Sequence, residues 1–254
     1  MAETASTGNS SLEAASDECK YNLDYPEKGL CLIINMENFS SALRLEQRKG
    51  TSEDEKSIAD VFKKIGFRVQ IEKDKTCTKI MSILGKVAED NHSNIGCFVC
   101  FIMSHGEKGI FYGFDDFIKE EDLFALFEGE NSPHLIGKPK IFFLQKCNGK
   151  KIDLGVTLHG ATEANAKVNM IPTEADFLYH YATTSGYVSW RNKKGSWFVQ
   201  SLCKVLEQYW DKKELLHILT LVNRKVAIEF KSQPDAFKQL PCFVSTLTNL
   251  LYFY

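Results

Sequence analysis

The sequence predicts an α/β fold with a mostly parallel central sheet and helices on both faces. Continuous apolar runs at 29–35, 98–103 and 141–144 are typical of strands that are covered on both sides. Between the first two runs, apolar side chains recur at the spacing of one helix face, at 58–65 and again at 80–87. Buried strands that alternate with amphipathic helices indicate a doubly wound sheet, because parallel strands need helical crossovers between them.

The other elements follow from the same two periodicities. Thr51, Ser52 and Glu55 stand just before the first helical stripe and predict a capping box at its start. Further strands are predicted at 67–71, 176–182 and 250–254, and further helices at 123–127, 198–209 and 215–226. We expect the apolar chain end at 250–254 to be a paired edge strand or a dimer seam.

Composition excludes several classes of function. The 254 residues carry a formal charge of −2, with 44% hydrophobic and 25% charged residues, so neither nucleic acid nor an anionic membrane is an expected partner. No apolar run approaches the ~20 residues that span a bilayer, and the N-terminus lacks the features of a signal peptide. A cytoplasmic protein with eight free thiols is therefore expected.

No metal or cofactor is predicted. Cys97 and Cys100 have the spacing of a metal-binding pair, but they lie in a strand-like run. Residues three apart on a strand point to opposite faces, and no second pair completes a zinc set.

Two residues with nucleophilic and basic chemistry follow neighbouring predicted strands. His105 comes just after the run at 98–103, and Cys147 comes just after the run at 141–144. Parallel neighbours bring their carboxyl ends together, so a Cys–His dyad is geometrically reasonable. Gly106 would let its bare amide approach a developing oxyanion, with the amide of Cys147 as second donor. A core cysteine and an inert turn histidine remain the commoner alternatives for these residues taken singly.

Four motifs in order carry a resemblance to a known family. They are Ser-His-Gly-Glu at 104–107, Gln-Lys-Cys-Asn-Gly at 145–149, Ile-Pro-Thr-Glu-Ala-Asp-Phe at 171–177 and Ser-Trp-Arg-Asn at 189–192. In this order they resemble the caspases, the cysteine endopeptidases that cleave after aspartate. The resemblance covers roughly residues 24–254 and implies a caspase-like fold in which large- and small-subunit regions form one domain.

Composition and the resemblance together divide the chain into regions. Polar, aperiodic sequence indicates a short disordered N-terminal segment (1–23) and an exposed linker (154–170), and the resemblance implies a large-subunit region (24–153) and a small-subunit region (171–254) on either side of that linker. The short N-terminal segment resembles an executioner rather than an initiator. Asn165 ends Thr-Glu-Ala-Asn where an activating cleavage site would need aspartate, so we expect linker processing to be weak or absent.

Site roles follow from the resemblance residue by residue. Cys147 would be the nucleophile of a thioester mechanism, His105 the acid and base, and the amides of Gly106 and Cys147 the oxyanion hole. The residues implied to bind substrate are Arg48, Gln145, Ser189, Trp190, Arg191, Asn192 and Trp197. Arg48, Gln145 and Arg191 would hold the substrate aspartate, since paired guanidinium groups suit a planar carboxylate. Ser189 to Arg191 would pair with the substrate backbone.

Three functional hypotheses remain open at this point. The first is an endopeptidase that acts in apoptosis or related signalling on protein substrates with acidic cleavage motifs, as a homodimer or a heterodimer with another caspase. The second is a weak or inactive homologue that regulates an active caspase by dimerisation. Lys146 replaces the family's usual alanine and Asn148 its usual arginine, glutamine or glycine, and these departures favour the second. A related Cys–His peptidase with another specificity is a third alternative.

Overall fold

The structure is a computed structural model that describes residues 19–147, 175–185, 189–231 and 237–254. Its centre is a six-stranded sheet whose strands are β1 (Glu27–Asn35), β2 (Phe67–Lys73), β3 (Ile95–Met103), β7 (Lys140–Gln145), β8 (Phe177–Tyr181) and β11 (Cys242–Ser245). Their spatial order is β11-β8-β7-β3-β1-β2. Neighbouring strands are parallel except β11, which is antiparallel to β8. The predicted mostly parallel sheet is therefore confirmed.

Helices and two small sheets surround this centre. The helices are α1 (Thr51–Ile65), α2 (Cys77–Glu89), α3 (Glu120–Ala125), α4 (Trp197–Tyr209) and α5 (Leu215–Glu229). The small strands are β4 (Gly106–Glu107), β5 (Ile110–Tyr112), β6 (Phe117–Lys119), β9 (Arg191–Asn192) and β10 (Gly195–Ser196). Short 3₁₀ turns lie at Ser41–Leu43, Gly129–Asn131 and Pro133–Leu135. None of the helices in the described part of the chain is long and apolar enough to cross a membrane.

The central sheet separates two hydrophobic clusters. The residues of β3 alternate between them, so that Cys97 and Phe101 pack toward α1, α4 and α5, whereas Phe98 and Cys100 pack toward α2 and α3. Phe101 stacks on Phe143 of β7 with ring centroids 4.6 Å apart. Cys97 and Cys100 therefore face opposite sides of the sheet, as predicted.

Parallel register brings the ends of two central strands together. Met103 of β3 pairs with Gln145 of β7, and the amide of Ser104 donates to the Gln145 carbonyl at 3.2 Å. The segments that follow these strands therefore leave the same edge of the sheet side by side. This edge is where doubly wound sheets bind ligands.

The strand predicted at 250–254 is wrong. The chain end makes only one bridge, between Lys20 and Leu250, within the described residues, and Phe253 is buried against Phe62 and Phe67. Leu251 and Phe253 fill the core beside α1, whereas Leu250 and Tyr254 are exposed, so the chain end does not extend a sheet. The edge strand next to β8 is β11 instead.

The prediction of a capping box at the start of α1 is also wrong. Gly50 is the N-cap of α1 and makes no side-chain cap. Thr51 instead donates through its hydroxyl to the Asn35 side chain at 2.6 Å, and the Glu55 carboxylate accepts from that same amide at 2.8 Å. Both residues satisfy a buried amide at the end of β1, which local spacing could not reveal.

The N-terminal segment joins the body earlier than predicted. Residues 1–18 lie outside the described residues, but Tyr21 and Leu23 are buried in the core. The Tyr21 hydroxyl donates to Asp176 at 2.6 Å. The predicted linker at 154–170 and Asn148 lie outside the described residues as well.

Candidate active site

The structure places the candidate thiol and imidazole at neighbouring strand ends. Cys147 follows β7 and His105 follows β3, each two positions beyond the Met103–Gln145 pair. Both side chains are partly buried. The Sγ atom of Cys147 lies 3.5 Å from the amide nitrogen of Ser189, which donates to it. The thiol thus lies between the β7 end and the segment that leads into β9.

The imidazole of His105 is oriented by groups from the loop before α1. Its Nε2 lies 2.8 Å from the Glu46 carbonyl oxygen, and its ring lies 5.0 Å from that of Phe39. A carbonyl oxygen only accepts hydrogen bonds, so Nε2 is assigned the proton and Nδ1 is the acceptor of the neutral ring. Burial lowers the pKa of His105, and the charges of Arg48 and Arg191 lower it further. The ring is therefore neutral at pH 7 and can serve as a base.

Gly106 occupies a place that a larger residue could not fill. A Cβ atom at this position would lie 2.6 Å from the Ile110 carbonyl oxygen and 2.6 Å from Cδ of Lys146. The β4–β5 hairpin consequently packs directly on the Lys146 side chain. Its first amide is held next to the residue that precedes the candidate nucleophile.

Arg48 is a fully buried cation with unused donors. One terminal nitrogen donates to the carbonyls of Met36 and Met103, at 2.7 and 3.0 Å, and to the Thr51 hydroxyl at 3.1 Å. Its Nε and its other terminal nitrogen are buried without a hydrogen-bond partner among the described residues. Buried donors are nearly always satisfied, so these two nitrogens indicate a place for an anion.

Arg191 presents a second cation to the same region. Its Nε donates to the Lys49 carbonyl at 3.2 Å. Burial, together with the charge of Arg191, lowers the pKa of Arg48 to about 9. Negative charge on Cys147 raises the pKa of both arginines. The two cations and the thiol therefore lie within electrostatic reach of one another.

The segment before β9 is held by side-chain contacts. Gln145 donates through Nε2 to the Ser189 hydroxyl at 2.8 Å. The Trp190 amide donates to Oε1 of Gln239 at 2.7 Å. The Trp190 ring stacks on that of Trp197, with centroids 5.9 Å apart. Trp197 is only 7% exposed, so it lies behind Trp190 rather than beside the thiol.

A groove of about 560 Å³ runs between the loop before α1 and the β9–β10 hairpin. Its lining residues are Glu46, Gln47, Lys49, Arg191, Asn192 and Lys193. Gly50, with φ of 86°, lets the two walls approach, since a Cβ there would lie 2.4 Å from the Asn192 carbonyl oxygen. Arg191 and Asn192 thus reach the groove, as their predicted roles in substrate binding require.

Some supporting residues have no signal in the sequence. Glu46 acts through its carbonyl, which any residue offers, and Gln239 is remote in sequence from Trp190. Asp54 of α1 is buried and accepts from the Ser196 amide at 3.0 Å and from Gln200 Nε2 at 2.9 Å. It thereby fixes the β9–β10 hairpin on α1. For Asp54, the sequence offers only a weak signal, namely a carboxylate at a helix position that faces the core.

Asp54 should make stability depend on pH. Burial raises the pKa of Asp54 to about 6, against the opposing hydrogen bonds from Gln200 and Ser196. Its ordinary value is 3.8, so the folded state holds the proton more tightly. The contribution of Asp54 is full below about pH 4 and is lost as pH rises through about 6. Urea unfolding measures this loss as a difference in the free energy of unfolding between wild type and Asp54→Asn. That difference should fall, to the disadvantage of wild type, by up to about 3 kcal/mol between about pH 4 and pH 7.

The exposed Asp60 of the same helix supplies the matched control. Asp60→Asn should leave the difference from wild type nearly constant over that interval. An equally flat difference for Asp54→Asn would mean that its carboxyl group does not titrate in this way.

A thiol and an imidazole at adjacent strand ends of such a sheet are the arrangement of a caspase-type cysteine endopeptidase. The sequence model of the family described as "Caspase domain" matches residues 28–252, so the chain belongs to the caspase family and is a hydrolase. Within this family it is similar to caspase-3 of Bos taurus, with 42% identity over 253 residues, or 97% of this chain and 92% of that protein. Caspase-3 of Mus musculus is 43% identical over 243 residues (93% and 88%), and that of Felis catus is 45% identical over 240 residues (92% and 87%).

Proposed function

We propose that this chain cleaves proteins after aspartate in apoptosis or related signalling, and that Cys147 and His105 form its catalytic dyad. The observation that carries the proposal is the pair of donors on buried Arg48 that have no hydrogen-bond partner among the described residues, next to Arg191 and within electrostatic reach of Cys147. A site of this kind selects an acidic residue beside the bond to be cut. Similarity to proteins named caspase-3 supports the same substrate class.

In the proposed mechanism the Cys147 thiolate attacks the carbonyl carbon of the scissile peptide bond. The thiol proton passes to Nδ1 of His105, whose other nitrogen is engaged by the Glu46 carbonyl. The oxyanion would be held by the amides of Gly106 and Cys147. His105 then protonates the leaving amine, which gives a thioester, and a water deprotonated by the same ring hydrolyses it and regenerates the thiol.

The substrate aspartate would complete the pocket. Its carboxylate would accept from the unused nitrogens of Arg48 and from Arg191. The two cations now repel each other, and an anion between them would remove that repulsion. Gln145, anchored on Ser189, would complete the rim. Recognition of a charged group at this depth is strong because the site excludes much of the water.

Main-chain pairing would hold the rest of the peptide. The Trp190 amide is engaged by Gln239, and the Trp190 carbonyl accepts from the Trp197 amide at 3.2 Å. Alternate residues of a strand offer their main chain to opposite edges, so Ser189 and Arg191 would pair with an added peptide strand. Asn192 and Trp197, the latter through its stack with Trp190, would contact residues further upstream.

The edge strand β11 is suited to dimer formation. Its four residues are half-buried, and it pairs on one side with β8. An edge of this kind can pair with the same strand of another chain. We propose a homodimer or a heterodimer with another caspase, acting in the cytoplasm.

The test is turnover by the purified chain. Acidic tetrapeptide reporters ending in aspartate should be hydrolysed, with activity per mole of chain rising with chain concentration and with kosmotropic salt as dimers form. An aspartyl active-site probe should label Cys147, and asparaginyl reporters should resist. Absence of both turnover and labelling would contradict the proposal and favour a regulatory homologue.

Processing of the linker should be weak. The segment 154–170 contains no aspartate, and Asn165 ends the sequence Thr-Glu-Ala-Asn. Incubation with an active executioner caspase should therefore leave this stretch uncut, as measured by intact mass. A control protein with an aspartyl site should be cut in the same tube. Clean cleavage within the segment would contradict this expectation.

A further inference from the structure

Lys146, directly before the candidate nucleophile, is buried. Its side chain is 1% exposed, and its Nζ lies 2.8 Å from Oε1 of Glu120, whose side chain is 11% exposed. The same Nζ donates to the Glu107 carbonyl at 2.7 Å. The lysine that replaces the family's usual alanine is therefore accommodated by a buried ion pair and a backbone hydrogen bond.

The ion pair joins four elements around the site. Lys146 follows β7, and the Glu107 carbonyl belongs to β4, the strand that begins with Gly106. Glu120 begins α3, and its amide donates to the Gly109 carbonyl in the β4–β5 turn at 2.9 Å. Tyr181, the last residue of β8, donates through its hydroxyl to Oε2 of Glu120 at 3.4 Å. The Lys146–Glu120 pair thus links the ends of β7 and β8 to the β4–β5 hairpin, which follows His105.

The chemistry of the Lys146–Glu120 pair explains why it would keep the groups around it in fixed positions. A buried ammonium keeps its charge only with a partner and with its remaining donors used, and Glu120 and the Glu107 carbonyl meet both needs. The charge-assisted hydrogen bond from Nζ to the Glu107 carbonyl is directional and fixes the atoms it joins more tightly than apolar contact does, while Glu120 supplies the opposite charge at 2.8 Å. Gly106 permits close packing, since a Cβ there would lie 2.6 Å from Cδ of Lys146.

We propose that the Lys146–Glu120 ion pair is a positioning device for the proposed reaction. It fixes the thiol of Cys147 relative to the Gly106 amide, through the bond from Lys146 to Glu107. The inference rests on the proposed function. A displacement of about 1 Å between these groups would cost roughly a hundredfold in rate, without changing the pocket that binds the substrate side chain.

The test replaces both charges with apolar side chains. The single variants Lys146→Met and Glu120→Met each leave one buried charge unpaired and should unfold at lower temperature. The double variant leaves none and should recover most of the thermal stability. Its kcat should nevertheless stay at least about tenfold below wild type, with KM within about threefold. The partly exposed pair Lys225 and Glu229 of α5, changed to Met in the same way, should alter neither constant.

Hydrogen exchange separates this inference from the proposed function. The hairpin at 104–112 should exchange faster in the double variant than in wild type, and this readout does not require turnover. A wild-type chain without turnover or labelling would overturn the proposed function and leave the exchange measurement to decide whether the pair holds the hairpin. Two results would overturn the inference: a double variant with wild-type kcat, or one with wild-type exchange at 104–112.

Discussion

Replacing Cys147 with alanine should lower turnover of an aspartyl reporter by at least roughly 10⁴-fold and leave the fold intact. Loss of a covalent nucleophile removes the acyl intermediate, and residual binding groups cannot replace it. The side chain is only partly buried, and its thiol accepts a long hydrogen bond from the Ser189 amide at 3.5 Å. Loss of Sγ should therefore cost little stability. Steady-state kinetics and thermal unfolding of the same preparation measure both effects.

Cys77 provides the matched control for this substitution. It is also a partly buried free cysteine, at the start of α2. Cys77→Ala should keep wild-type turnover and labelling by the aspartyl probe. Equal activity in Cys147→Ala and wild type would remove Cys147 from the mechanism and would leave the dyad without support.

The sequence could predict the elements whose signals are local and strong. The run that became β3 has nine consecutive buried residues, and a continuous apolar stretch of this kind is typical of a strand covered on both faces. The same holds for β7, and the order of these strands placed His105 and Cys147 at one edge. Periodicity and parallel register were therefore sufficient to bring the candidate dyad together.

Residues that depend on contacts distant in sequence could not be predicted in this way. Thr51 and Glu55 have the spacing of a capping box, but a buried amide on Asn35 recruits both. The chain end at 250–254 has the composition of a strand, but Phe253 packs against Phe62 in the aromatic cluster of the core. In each case a tertiary contact outweighed a local preference.

Lys146 shows the same limit at the site itself. The sequence revealed only that a long cation replaces a small residue next to the thiol. Whether that cation approaches the thiol or turns away depends on Glu120, which stands 26 positions earlier on another element. A charge at the start of a short helix gives no sign of such a partner. Only the fold shows that the two charges meet.

Replacing Arg191 with glutamine should lower kcat/KM for the aspartyl reporter by about 10²–10³-fold. Loss of one member of a partly buried charge pair costs about 2–5 kcal/mol, and the substrate carboxylate would lose one of its two cations. Arg191 is the better target than Arg48, which is fully buried and donates to two carbonyls and a hydroxyl that link β1, β3 and α1. Removing Arg48 would test folding and recognition together.

The decisive readout for Arg191→Gln is selectivity rather than rate alone. Because the lost cation would face a carboxylate, the preference for aspartyl over asparaginyl reporters should fall by a similar factor, while the asparaginyl rate changes little. Lys193 lines the same groove and is exposed, so Lys193→Gln should change kcat/KM by less than about threefold. Equal losses for both reporters in Arg191→Gln would show that this cation supports the hairpin rather than reading the acidic side chain. The pocket would then depend on Arg48 alone, whose Nε and second terminal nitrogen have no partner in the described part of the chain and offer a bidentate site for one carboxylate.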